Sequence, residues 1–427
     1  MIIKRIYLLG ISFLLAINAA LLHSYNPDNR YFPFVPNVYV TVPGRPSHFS
    51  SYLLFTTAHD AFGLQQDTIG IGEIYGTFDL SYMGESLTAV GGVNPLPPEF
   101  ASRTLPYNIS GKIQSEGFSF YYQQAVYRWF SVGYNLFVMQ TNSTQFFTPT
   151  FDLSNADFAE LERDRRIILR DLGLSCGYAR QLSLGDMDLY GRISHAWDYI
   201  YKFRRIEADF RIGVLVPTGA ERHINNPASI PFGGNGHWGI YTRADAEFEV
   251  KEDWKVGLIA MVSKRLPKNE ITRMPAFFSS SDGDIGITGP VIFGAVVGPA
   301  CINPGATLIG SAYVLVENAR GGLGGRIQYT ATSHRKDCWT DLREQYAETP
   351  AEKAYAEIPV GLDLVERRSE WESDYLSLIP FYDFGKMKTR RDFDPIVKLR
   401  WDIPTLFLLG KGVVKTQAIS LGVEFNF

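Results

Sequence analysis

The fold class that the sequence predicts is all-β: a transmembrane antiparallel β-barrel of about 12–14 strands with long extracellular loops. Three observations predict it. Apolar residues recur at every second position in many strand-length segments, the chain opens on a basic, then apolar, then small-residue leader, and beyond that leader no apolar run is long enough to cross a bilayer as a helix. Composition agrees, with 29 Phe, 23 Tyr and 39 Gly among 427 residues. Lumen-facing and lipid-facing residues that alternate along a strand average to neutral hydropathy, which is how such chains hide their membrane character. Length leaves one barrel or two or three soluble domains open, because all-β folds run long as single units. The net charge of −4, without a basic stripe, argues against a nucleic-acid partner.

Lys4 and Arg5 precede an uncharged run from Ile6 to Leu22, and Ala19, Ala20 and Ser24 supply small residues before Tyr25-Asn26-Pro27. This is the order of a secretory signal peptide, so residues 1–24 are expected to be removed and residues 25–427 to form the barrel. A retained helical anchor is the competing reading, since roughly 17–25 apolar residues can span a bilayer. No Cys lies near the cleavage region to accept a lipid.

Taken in order, Ile74 to Tyr82, Phe118 to Val126, Phe130 to Met139, Leu172 to Tyr178 and Leu189 to Tyr201 read as strands. From Arg205 to Val216 the pattern is cleaner: Ile206, Ala208, Phe210, Ile212, Val214 and Val216 share one face, and Arg205, Glu207, Asp209 and Arg211 the other. Four charges in a row need water or one another. Ala244, Ala246, Phe248 and Val250 likewise oppose Arg243, Asp245, Glu247 and Glu249, and after the turn Lys251-Glu252-Asp253 the run from Trp254 to Val262 completes a hairpin. Ile327 to Ala331, Trp371 to Ile379 and Val397 to Trp401 follow. The last eleven residues alternate without a fault, with Ile419, Leu421, Val423, Phe425 and Phe427 opposite Ala418, Ser420, Gly422, Glu424 and Asn426.

Short turns are expected near Arg128, Gly185 and Asp253. Gly84 to Gly111, Thr141 to Arg166, Thr218 to Gly239, Pro267 to Gly289 and Ser333 to Arg368 read as long loops, and Ala156 to Leu172 and Asp337 to Ala356 have the Glu, Arg and Ala for short helices. Long loops at one end and short turns at the other is the outer-membrane habit. Tyr127, Trp129, Trp197, Tyr199, Tyr201, Trp254, Trp371 and Trp401 read as girdle residues at the headgroup level. A soluble β-sandwich would need the charged faces to be its solvent surface and leaves the leader unexplained. Of three cysteines, Cys176 reads as a small lipid-facing residue, and a Cys301–Cys338 disulfide is open.

Few motifs point to chemistry. Gly234-Asn235-Gly236-His237-Trp238-Gly239 has a dinucleotide-binding spacing, but a strand rather than a helix follows it, so it reads as a flexible loop tip. Ser194 and His195 are neighbours and point to opposite faces of a strand. His59 with Asp60, and His223 with His237, lack a third partner for catalysis. Asp282-Gly283-Asp284 falls short of the six to eight oxygens that Ca²⁺ takes, roughly, and reads as a turn. No cofactor is expected. The stronger signal is the inward charge of Arg205, Glu207, Asp209, Arg211, Arg243, Asp245, Glu247, Glu249, Lys398 and Arg400, with Gln328, Glu424 and Asn426 adding polarity. Such rows either line a hydrated path for small solutes or close the lumen by cross-strand salt bridges.

The closing strand, with its terminal Phe427 two residues after Phe425, resembles that of Gram-negative outer-membrane barrels. The resemblance implies that Phe425 and Phe427 are read by the β-barrel assembly machinery. Gly185-Asp186 before a strand, Pro217-Thr218-Gly219 after another, the loop with Gly234, Gly236 and Trp238, and the hairpin from Trp254 to Arg265 look like the outer-membrane channels of the phenol-degradation meta-pathway family. These are similar in kind to the long-chain fatty-acid transporter barrels, although no hatch sequence like theirs is recognisable at the N-terminus. That likeness covers about 80 residues and implies passive movement of small aromatic or apolar molecules across the outer membrane; separately, with no third catalytic partner found, no enzyme activity is expected. The function expected is therefore an outer-membrane, porin-like channel for small-molecule solutes, in contact with outer-membrane lipid. Two alternatives stay open: a closed surface-exposed barrel whose long loops bind a partner, and a barrel enzyme acting on lipids. Replacing Phe427 is expected to lower the yield of folded barrel, read on a heat-modifiability gel, without altering the properties of the molecules that do fold.

Overall fold

The alternating segments close on themselves. In the computed structural model, which describes residues 28–32, 47–101, 103–152, 154–175, 177–200, 202–277, 290–386 and 394–427, twelve strands form one antiparallel transmembrane barrel. They are β1 His48–Ala58, β2 Pro106–Ala125, β3 Phe130–Pro149, β4 Met187–Ile200, β5 Phe203–Val216, β6 Gly239–Lys251, β7 Trp254–Arg265, β8 Ala306–Arg320, β9 Leu323–His334, β10 Trp371–Asp383, β11 Pro395–Thr405 and β12 Gln417–Asn426. Each pairs with the next, and β12 pairs with β1 from Asn426 opposite His48 to Gln417 opposite Thr57. Just beyond, Phe427 and Ser47 exchange both backbone hydrogen bonds, so the final residue is part of the seam.

Facing follows the period of two. On β5 Phe210, Ile212 and Val214 are exposed, whereas Arg211, Gly213 and Leu215 are buried. Leu53, Phe118, Ile193, Leu258, Val314, Ile327, Leu399 and Leu421 continue this apolar outer band on other strands, as a lipid-facing wall requires. Inside, Tyr52, Tyr241 and Tyr313 lie over Gly422, Gly213 and Gly257, each directly opposite on the adjoining strand. A Cβ on any of these glycines would sit 2.0–2.2 Å from a ring carbon.

The turns at one end are tight. Gly321 and Gly322 alone join β8 to β9, both with positive φ (56° and 96°), the conformation that a two-residue hairpin favours. Glu252 and Asp253, the latter at φ 63°, join β6 to β7. The connections at the other end are long and folded. They carry α1 Leu80–Ala89, capped by the Asp79 carboxylate, and α2 Asn155–Asp171, capped by Ser154. Both helices pack with Phe78 and Phe293 in one apolar cluster. They also carry α3 Pro350–Ala356, α4 Leu362–Ser369 and a three-stranded sheet of Lys268–Met274, Val296–Asn303 and Cys338–Asp341.

Several sequence expectations change. Gly185 does not mark a turn: Tyr178–Leu184 and β4 both pair antiparallel with β3, as two lengths of one wall strand interrupted at Gly185-Asp186. Leu184 opposes Val138 and Asp188 opposes Asn135, so one side has an extra residue, the definition of a bulge. Buried Ala179 before it and buried Tyr190 and Arg192 after it have opposite parity. Ile74 to Tyr82 is not a wall strand, because it is divided between the 3₁₀ turn Ile71–Tyr75, the two-residue strand Phe78–Asp79 and the start of α1. Leu172 to Tyr178 is not a strand either: Leu172 is the C-cap of α2, and only Tyr178 begins a strand. β2 begins inside the expected Gly84–Gly111 loop, β3 continues nine residues into Thr141–Arg166, and the Pro267–Gly289 loop contains a strand. Trp371 is 2% exposed and stacks on His334 inside the barrel, so it is no girdle residue. Trp129, Trp197, Tyr199, Trp254 and Trp401 are exposed on the outer surface.

Cys301 and Cys338 are free thiols on neighbouring strands, but Cys301 opposes Thr340 and Cys338 opposes Asn303. That diagonal offset of roughly 7–8 Å exceeds what a disulfide spans. The signal peptide, Tyr201, Cys176 and Asp282-Gly283-Asp284 lie outside the described residues. Phe210→Arg is expected to lose about 2–4 kcal/mol of stability in lipid, whereas Phe210→Leu should lose much less. Equal losses in reversible unfolding would refute the lipid facing of β5.

Candidate functional site

Period two delivers the inward charges of β5 and β6 to one patch of lumen wall, and the register sets them opposite one another: Arg211 faces Arg243, Asp209 faces Asp245 and Glu207 faces Glu247. Like would meet like, and the side chains resolve this by reaching along and across the strands. Arg211 binds Asp209 (3.2 Å) and Asp245 (3.2 Å), Arg243 binds Asp245 (2.8 Å), and Arg192 of β4 binds Asp209 (2.7 Å). Arg205 reaches Glu207 (3.5 Å), and Lys255 of β7 joins Glu247 (2.9 Å) to Glu317 of β8 (2.5 Å). Glu249 lies 3.7 Å from Arg204. Across the barrel Lys398 binds Glu424 (2.6 Å), which also accepts the Tyr52 hydroxyl, and Arg400 binds Asp402 (2.9 Å). Each of the ten residues expected in the lumen carries an ionic partner, and Arg211, Arg243, Lys398 and Arg400 are buried. Arg192, Lys255, Glu317 and Asp402 were missed, although each has the inward parity of its strand.

A chord crosses this wall. Tyr121 of β2 stacks on Tyr190 of β4 at 5.9 Å and accepts a hydrogen bond from Arg211 of β5 at 3.4 Å, although two strands separate β2 from β5. Phenol rings and a guanidinium group thus join β2, β4 and β5 on the inner face.

A second locus lies at the long-loop end, and the bulge creates it. Asp186, fully buried, accepts hydrogen bonds from the Gly219 and Gly234 amides (3.2 and 2.7 Å) and an ion pair from Arg265 (2.7 Å). The same guanidinium binds Asp28 (2.8 Å) and the His237 carbonyl (2.8 Å). Burial raises the Asp28 carboxyl, but Arg265 and the Ser263 hydroxyl more than offset this and hold it below the usual carboxylate range. Arg265 thus gathers the N-terminal segment, the bulged wall and the loop between β5 and β6. Gly234 is required there, because a Cβ would come 2.4 Å from the Arg265 Cζ. The loop tip expected to be flexible is accordingly folded inward, with His237 only 3% exposed.

These anchors enclose a cavity of about 220 Å³, lined by Asp28–Tyr31, Tyr75, Arg222, Arg273, His334, Arg368 and Trp371 among others. His334 lies 2.7 Å from the Thr307 hydroxyl and 3.0 Å from Asp337. This has the residue types of a catalytic relay, but Thr307 is fully buried and does not line the cavity, so its hydroxyl is not presented to a substrate there. His195 is exposed on the outer wall, 4.6 Å from Trp197, and His223 lines the cavity. Among the described residues no cluster of His, Cys, Asp or Glu is arranged to hold a metal.

The fold defines a transmembrane β-barrel with buried ion pairs on its inner face and a folded cap of long loops. No family model and no curated protein matches the chain. Among solved structures it is similar to an outer membrane channel from Pseudomonas putida, with 9% identity and a TM-score of 0.48 over 92% of this chain and 100% of that one. It is also similar to a FadL homologue from Pseudomonas aeruginosa (10% identity, TM-score 0.29, 89% and 90% covered) and to the transport unit of the autotransporter AIDA-I from Escherichia coli (5%, 0.33, 95% and 100%).

Removing Arg265 leaves two buried carboxylates without their cation, which typically costs about 3–5 kcal/mol. Arg265→Gln is therefore expected to keep the barrel, as judged by heat modifiability, but to expose Arg222 in the released loop to trypsin.

Proposed function

We propose that the chain is an outer-membrane channel of Gram-negative cells for passive passage of small molecules, exported by its leader and delivered to the membrane through a closing strand ending on Phe425 and Phe427. The observation that carries this reading is the interior column of both signs of charge, from Arg205, Glu207, Asp209 and Arg211 through Arg243, Asp245, Glu247 and Glu249 to Lys398 and Arg400. Charge is costly to bury without purpose, and rings of charge are how pores select what they pass. A path crossed by the chord through Tyr121, Tyr190 and Arg211 would suit compact solutes rather than polymers.

One observation favours a second reading, a closed barrel whose cap binds a partner: the lumen charges are neutralised by one another and the long loops are tightly packed. Single-channel recording of the refolded mature protein separates the two. Discrete conductance steps are expected. Asp209→Asn, which leaves Arg192 and Arg211 short of a carboxylate, should shift the reversal potential toward anions. A folded but silent barrel would refute the channel and favour the cap as the functional surface.

A further inference from the structure

The cavity at the long-loop end has a charge balance unlike that of the lumen below it. Five arginines line it against three carboxylates. Asp28 is committed to Arg265, Asp337 contacts His334, and Glu270 lies 3.5 Å from Lys268. Among the described residues, no carboxylate stands within ion-pairing distance of Arg30, Arg222, Arg273 or Arg368.

Two of these guanidinium groups stand over Tyr75, and a third lies beside the adjoining residue. Arg30 and Arg222 stand 5.1 and 4.6 Å from its ring centroid. Arg222 also donates to the Tyr31 and Tyr75 hydroxyls (2.6 and 3.1 Å). Arg368 lies against the adjoining Gly76, where a Cβ would come 2.9 Å from its Nη1. Arg30 is 8% exposed; its Nη2 donates to the Arg368 and Ser369 carbonyls, and its Nη1 is buried without a hydrogen-bond partner, as is the Nε of Arg368. A buried guanidinium with donors to spare is what a bidentate oxyanion satisfies. The local potential is felt by the tyrosine: burial would raise the Tyr75 phenol, but Arg222 and Arg30 outweigh it and bring it below its usual value. Burial also lowers the Arg368 guanidinium, as expected where no anion compensates it.

Size and lining set the rest. A cavity of about 220 Å³ is smaller than the roughly 300–1,000 Å³ of pockets for drug-sized ligands. Tyr31, Tyr75 and Trp371 supply flat apolar surface beside the cations. We propose that this cavity binds a small organic anion, a carboxylate or phosphate group on a compact aromatic or aliphatic body, held by the donors of Arg30, Arg222 and Arg368. The role of the site as an entry station rests on the channel reading; binding itself does not.

The test is calorimetric titration of the detergent-solubilised mature protein with benzoate, phenyl phosphate and uncharged benzyl alcohol. At least one anion should bind saturably and benzyl alcohol should not, and which anion binds identifies the head group. Arg368→Gln, checked for folding by heat modifiability, should weaken anion binding at least about tenfold, the effect of losing a charge-assisted hydrogen bond. Binding by wild type should also weaken as salt is raised. Equal binding of benzyl alcohol, unchanged affinity in folded Arg368→Gln, or salt-independent binding would each overturn the proposal, and the salt series decides if the variant does not fold. Conductance of the same preparation keeps the readings apart: an open pore that binds neither anion sinks the site and leaves the channel, whereas a silent barrel that binds one does the reverse.

Discussion

The Arg265 guanidinium, with 1% of its side chain exposed, holds the long-loop end together. It satisfies two buried carboxylates and a backbone carbonyl that come from three separate parts of the chain. Each carboxylate alone would be an expensive group to desolvate, and the guanidinium alone would be too; together they exchange hydration for fixed, charge-assisted hydrogen bonds. Because Asp186 also accepts the Gly219 and Gly234 amides, the loop between β5 and β6 has little freedom to leave the wall. The cavity, its arginines and the placement of Asp28–Phe32 all follow from that anchoring.

Below it the barrel solves a different electrostatic problem. At three positions strand register sets like charges directly opposite on β5 and β6, an arrangement that is destabilising if the side chains point straight at one another. Reaching diagonally turns the same register into a lattice in which each carboxylate meets a cation from a neighbouring position. The lumen is consequently near balance, while the cavity above it is not. Two regions of one interior thus differ in their balance of charge.

How much of this was legible in the sequence can be followed residue by residue. The lipid and lumen faces of β5, β6 and β12 were, because alternation is local and each side chain announces its own face. The two parts of the bulged strand were not seen as one, because the extra residue at Gly185-Asp186 inverts parity and makes a continuous wall look like two strands around a turn. Ile74, Phe78, Leu80 and Tyr82 imitate period two, yet Leu80, Met83 and Leu87 carry the helical spacing that packing uses, and Asp79 was the available capping signal. The Arg265 anchor had no local signature. Its partner Asp28 is 237 residues away, and Asp186 lies in the bulge itself. The arginine cavity is hidden for the same reason, since Arg30, Arg222 and Arg368 meet only once the loops have folded.

The tyrosines laid over glycines inside the wall bear on how such a chain selects its strand pairing. Alternation forbids a slip of one residue, which would turn every apolar side chain inward, but a slip of two preserves both faces and is not penalised by facing at all. Here a slip of two would press Tyr313 onto Lys255 or Ile259 in place of Gly257, Tyr241 onto Arg211 or Leu215 in place of Gly213, and Tyr52 onto Ser420 or Glu424 in place of Gly422. The correct alignment is the one in which each ring finds an empty site, and in which the Tyr241 and Tyr313 hydroxyls reach Asp188 and Glu247. These pairs act as a lock-and-key code between adjoining strands, and one of them lies across the β1–β12 seam, where the first strand must recognise the last.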